Sequence, residues 1–175
     1  MNSKIREFSH TSCRFKTLLA LFAVILIGGA CSKGPKVPDF ELVALEGGDC
    51  KLSREKGKVV VLTFWHLRCP YCRDQMEEFK KLVKDVDMKK VAIVAVHSHG
   101  GVRAAKMLSR FEGNPDIQIC LDDGTVAKKY KEMEEKYRIQ GVPHNLILDG
   151  ERRIRKVRRG LTKAAQLKKD IESLL

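Results

Sequence analysis

Two cysteines separated by two residues, Cys69-Pro70-Tyr71-Cys72, are the side chains of this sequence best suited to covalent chemistry. A thiolate attacks disulfides, and a second thiol within reach can resolve the mixed disulfide that the first one makes. Ahead of the pair, Val59-Val60-Val61-Leu62-Thr63-Phe64-Trp65 is a continuous β-branched and aromatic run, which predicts a strand buried on both faces. From Tyr71 the period changes. Met76, Phe79, Leu82, Val83 and Val86 recur three and four apart with charged residues between them, the pattern of an amphipathic helix. Cys69 therefore stands immediately before a helix, where unpaired N–H groups and the positive dipole end favour the reactive thiolate. Cys72 lies one turn further on the same side, close enough for a disulfide. Pro70 at the helix start forfeits no hydrogen bond and stiffens the turn.

The same spacing could supply half of a tetrahedral zinc site, which needs a second Cys or His pair. Cys50 and Cys120 stand alone and His97-Ser98-His99 is a poor substitute, so no metal is expected and the redox-active disulfide takes a cofactor's place. Whether Cys50 and Cys120 pair or remain buried thiols is left open by the sequence.

The elements that must position the pair follow from periodicity. Phe40, Leu42 and Leu45 alternate, Gly47-Gly48 turns the chain, and Cys50 and Leu52 alternate again, which predicts a small hairpin. Strands are expected at Val91–Val96, Ile117–Leu121, Val142–Leu148 and Arg153–Val157, with helices around Val102–Phe111, 125–137 and 162–174. Strands alternating with helices, closed by a hairpin and a helix, make an α/β domain of three layers.

The 175 residues are 43% apolar and 32% charged, with neither a repeat period nor low complexity, so solenoids and disordered scaffolds are excluded. Net charge is +12, and +9 remains once residues 1–30, with four cations and Glu7, are set aside. The densest basic run, Arg152, Arg153, Arg155, Lys156, Arg158 and Arg159, alternates with Ile154 and Val157 as a charged edge strand would. It carries no interleaved aromatics, so no nucleic-acid partner is expected.

Lys4, Arg6, Arg14 and Lys16 precede an apolar or glycine run from Leu18 to Ala30, too short to span a bilayer, which needs about 20 residues. This reads as a signal peptide over 1–30. Gly28-Gly29-Ala30 before Cys31 resembles a bacterial lipobox, with Gly28 where Leu is usual, so Cys31 is the expected lipidation site. Residues 31–38 are then a tether and 39–175 the folded domain, a membrane-anchored monomer outside the cytoplasm.

The strand with Cys69-Pro70-Tyr71-Cys72-Arg73 resembles the active-site region of the thioredoxin superfamily. Pro38-Asp39-Phe40, Leu52-Ser53, Gly57-Lys58, Leu121-Asp122-Asp123-Gly124, Tyr137–Pro143 and Leu146–Gly150 narrow this to the TlpA/ResA-like branch, from about Val37 to the C-terminus. The resemblance implies a thioredoxin-like α/β/α sandwich with a mixed central sheet, and a cis-proline at Pro143 facing the cysteines. It also implies Val142, Pro70, Tyr71 and Trp65 around the client, protein disulfides as substrates, a reducing role as in cytochrome c maturation, and a membrane electron donor. The chain departs from its relatives at Thr63, where thioredoxin has a buried Asp, and at Gln75, where some ResA-like proteins have Glu. With no carboxylate in view, His66 and His97 are the candidate bases for Cys72.

Two other functions fit less well. Cys69, Cys72 and His144 could form a soft Cu(I) site, although copper-delivery relatives have three residues between the cysteines. A thiol peroxidase would place Pro and Thr shortly before its cysteine, where this chain has His66-Leu67-Arg68.

Overall fold

A computed structural model of the protein describes residues 34–108 and 113–175. The expected signal peptide, Cys31 and Phe111 lie outside the described residues. Β1 (Glu41–Ala44) and β2 (Asp49–Lys51) form the hairpin, turning through Gly47 and Gly48 at φ 93° and 78°, values that only glycine adopts without strain. Next come β3 (Val59–Trp65), α1 (Pro70–Leu82), β4 (Val91–His97), a 3-10 turn (Gly101–Ala104) running into α2 (Ala105–Leu108), and β5 (Ile117–Leu121). Α3 (Thr125–Lys131), β6 (His144–Leu148), β7 (Ile154–Arg159) and α4 (Ala164–Glu172) complete the chain.

The strands make one mixed sheet in the order β2-β1-β5-β4-β3-β6-β7. Β3, β4 and β5 are parallel and every residue of β3 and β4 is buried, which is why they read as unbroken apolar runs. One face carries Val61, Trp65, Ile93 and Ile147 against Met76, Phe79 and Leu82 of α1 and Leu167 and Ile171 of α4. The other carries Val60, Leu62, Phe64 and Val94 against Val126 and Tyr130 of α3 and the hairpin's Cys50 and Leu52. This is the expected thioredoxin-like α/β/α sandwich.

Several boundaries moved, three of them with consequences for the site. Α3 stops at Lys131 instead of continuing to 137, because its buried positions end at Tyr130 and residues 134–138 close as a turn on the Glu134 carbonyl. Β6 starts at His144 instead of Val142, directly after the cis Val142–Pro143 bond. Residues 34–38, expected in the tether, are docked. Val37 N–H donates to the Arg152 carbonyl and Ile154 N–H to that of Pro35, with Val37 buried. Gly34 passes so close that a Cβ there would collide with the Ile154 carbonyl.

Β7 is an edge strand, as its charge pattern predicts, yet most of its cations are committed. Arg152 meets Asp39 at 2.8 Å, Arg155 meets Asp149 at 3.3 Å, and Arg158 grips both oxygens of buried Asp170 at 2.8 and 2.7 Å. Cys50 and Cys120, the pairing left open by the sequence, form a disulfide joining β2 to β5 across a Cα separation of 5.7 Å. Among the described residues, no helix is long and apolar enough to cross a membrane.

Candidate active site

Β3 delivers its last residue, Trp65, to the end of the sheet, and α1 begins after four intervening residues. The connecting turn is closed by backbone and imidazole together. Cys69 N–H donates to the His66 carbonyl at 3.0 Å, Arg68 N–H to His66 Nδ1 at 3.1 Å, and Leu67 N–H to His97 Nε2 at 3.3 Å. Cys69 is the N-cap residue, Pro70 opens the helix, and the Cys69 carbonyl accepts from Cys72 N–H and Arg73 N–H.

The two thiols are reduced and differ in environment. Cys69 is partly exposed, and its Sγ donates to the Val142 carbonyl at 3.6 Å, directly before the cis bond to buried Pro143. Cys72 is fully buried. Burial, reinforced by the Cys69 sulfur as hydrogen-bond partner and neighbouring charge, pushes its thiol up to about 12 against a weaker opposing bond from the His66 backbone. One sulfur is presented to a partner and the other is held protonated behind it.

The imidazoles proposed as bases hold the loop. His66 and His97 stack at 4.9 Å, and Trp65 meets His97 edge-on at 5.3 Å. Burial first, then His66, lowers His97 to about 4. Burial, His99 and Arg68 lower His66 as well. Both rings stay neutral near pH 7 and keep the lone pairs that accept Arg68 N–H and Leu67 N–H.

Trp65, expected to touch the client, is fully buried and packs with Cys72 and Met76 beneath the loop, so its part is to fill the core. Tyr71, 65% exposed, and Pro70 remain at the surface beside Cys69. His144 belongs to the opposite side of the sheet, as do Leu146 and Leu148 two and four residues on. Among the described residues no cluster of three His, Cys, Asp or Glu side chains could hold a metal ion, so the copper set is not assembled.

Gln75 has a role that the sequence reading missed. Its Oε1 accepts from Thr162 N–H at 2.7 Å and from Asn145 Nδ2 at 3.3 Å, while its Nε2 donates to the Thr162 carbonyl at 3.0 Å. One turn on, Glu78 accepts from Ala164 N–H at 2.9 Å at the start of α4. That bond, with Lys81 and Lys163, holds the Glu78 carboxyl down at about 2. The active-site helix is thus clamped to the C-terminal helix by two polar side chains. The only sequence signal was a polar residue at Gln75 among the apolar positions of α1.

Residues 34–157 match the model of the family described as AhpC/TSA. The chain belongs to the AhpC/TSA family. This AhpC/TSA protein is 32% identical over 119 residues to the thioredoxin-like protein YneN of Bacillus subtilis, covering 67% of this chain and 65% of that one. It is 26% identical over 146 residues to the thiol-disulfide oxidoreductase ResA of Geobacillus thermodenitrificans, covering 83% and 79%. A structure from Chlorobium tepidum described as the thiol:disulfide interchange protein DsbE superposes with a TM-score of 0.68 at 25% identity, over 82% of this chain and 97% of that one. Within the family the chain is of the TlpA/ResA-like kind, and its activity class is thiol–disulfide oxidoreductase.

Proposed function

We propose that this chain reduces disulfides of client proteins outside the cytoplasm, with Cys69 attacking and Cys72 resolving. The observation that carries the reading is the asymmetry of the pair: Cys69 partly exposed against the Val142 carbonyl, Cys72 buried and hard to ionise. The Cys69 thiolate attacks one client sulfur, forming the mixed disulfide and releasing the other as a thiolate that takes up a proton. Cys72 then loses its proton and attacks Cys69 Sγ, forming the Cys69–Cys72 disulfide and freeing the first client sulfur. Two electrons and two protons pass from the dithiol to the client. The backbone of Val142, beside Cys69, is placed to pair with an extended client segment.

Export is supported by the N-terminal pattern and by a second, buried disulfide, which suits an oxidising compartment. Lipidation at Cys31, recharging by a membrane electron donor and clients in cytochrome c maturation complete the proposal. The test is to trap the Cys72→Ala variant in cells and identify the proteins bound to Cys69. Haem-attachment apoproteins are the expected adducts, and a complete lack of adducts refutes disulfide exchange. The potential of the pair gives the direction: about −250 mV or lower marks a reductant, and values approaching −120 mV an oxidant.

A further inference from the structure

Past the carboxyl ends of β3 and β4, the position where open α/β sheets bind ligands, the surface opens into a cleft of about 460 Å³. Val142 forms one wall, and its carbonyl also accepts the Cys69 thiol, so the cleft and the reacting sulfur share this residue as a neighbour. Ala127 and Ile139, both buried, line its apolar part. The ionisable side chains lining it are His66, His99 and Lys131, and no carboxylate is among them.

The surroundings have the same sign. Exposed Arg68 sits on the Cys69 loop, and its charge reaches His66. Buried Asp122, which follows β5, has both of its oxygens committed to α3, accepting from Val126 N–H at 3.0 Å and Ala127 N–H at 2.8 Å. Glu132 follows Lys131 in the chain but does not line the cleft. A client segment lying along Val142 therefore meets a cleft that offers an ammonium and imidazole N–H groups and, among the described residues, has no carboxylate in its wall.

We infer that this cleft receives an acidic side chain of the client, carried about two residues from the attacked cysteine, where an extended strand puts it on the same side, and that Lys131 and His99 select for it. The inference rests on the disulfide-exchange reading and adds the class of client sequence. A carboxylate gains the ion pair with Lys131 and hydrogen bonds from His99. A Lys at that client position is repelled by Lys131 and Arg68.

The test uses the reduced protein and three disulfide-linked peptide dimers that differ only in having Glu, Gln or Lys two residues from the cysteine. Thiol release gives the rate. The expected order is Glu, then Gln, then Lys, with each step about three- to fivefold, the size of a half-exposed ion pair. The spread should shrink at about 0.5 M salt, where screening acts over a few ångströms. Lys131→Glu, at an exposed position where folding is not at stake, should reverse the order of the Glu and Lys peptides, and His99→Ala should narrow the gap between Glu and Gln. Equal rates for all three peptides, or an order unchanged by Lys131→Glu, overturns the inference and leaves disulfide exchange standing. Failure to reduce any of the three overturns both.

Discussion

Replacing Gln75 tests whether the clamp between α1 and the C-terminal helix is a matter of hydrogen-bond valence. Gln75→Leu keeps the volume but removes the acceptor for Thr162 N–H and the donor to its carbonyl, in a site where Gln75 and Thr162 are buried. An unpaired buried backbone group costs about 1–3 kcal/mol, so two cost about 2–6 kcal/mol. At about 3 °C per kcal/mol for a domain of this size, Tm should fall by roughly 6–18 °C. Gln75→Glu distinguishes valence from packing. One carboxyl oxygen can still accept from Thr162 N–H, but the other faces a carbonyl and is tolerated only when protonated. The new carboxyl is therefore raised above the ordinary range in the folded state. Its contribution is fully present below the unfolded carboxyl value, near 4.3, and is lost as pH rises through the folded one. Tm of Gln75→Glu, compared with wild type by circular dichroism, should agree within about 2 °C at pH 4 and fall several degrees short at pH 8. A pH-independent difference, or a loss below about 2 °C for Gln75→Leu, refutes the clamp.

Limiting iodoacetamide at pH 7.5 should label Cys69 and spare Cys72 in the reduced protein, since a Cys72 thiol near 12 and without exposure ionises about a thousandfold less than a cysteine at its ordinary value of 9.0. Peptide mapping with equal labelling at both positions would refute the assigned order of attack. Replacing Cys50 and Cys120 together by Ala should cost about 4 kcal/mol in urea unfolding, because the bridge closes a loop of sequence separation 70. No loss would show that the hairpin is held by packing alone. His97 and His144, both lowered to about 4 by burial, take up protons on unfolding between pH 6.5 and 4, so stability falls with pH there. The slope should approach about 2.7 kcal/mol per pH unit from the two together, and a flat profile from pH 7 to 4.5 would contradict their neutral burial.

Where one residue type settles an element, the sequence was sufficient. Β3 begins and ends where its β-branched and aromatic run does, because a strand covered on both faces has no polar alternation to blur it. The cysteine pair was legible for a similar reason, since strand, turn and helix start all lie within 24 residues of chain. Α3 was overextended because Met133 and Tyr137 continue a helical spacing, although only partial burial rewards them. The cleft was not legible, as His66, His99, Lys131 and Ile139 come from four separate stretches that only the sheet order brings together. Nor was the Gln75 clamp, which spans 87 residues. Trp65, named both as a client-side residue and as core filling near the cysteines, is found in the core with Cys72.

The chain keeps its sulfur in two compartments with the sheet as the wall between them. Cys50–Cys120 belongs to the layer of Phe64 and Tyr130, while Cys72 and Cys69 pack with that of Phe79 and Leu167. A thiolate on one side has no route to the bridge on the other while the strands remain paired. The protein can therefore gain and lose electrons at its rim through many turnovers without scrambling the cross-link that fastens its own hairpin.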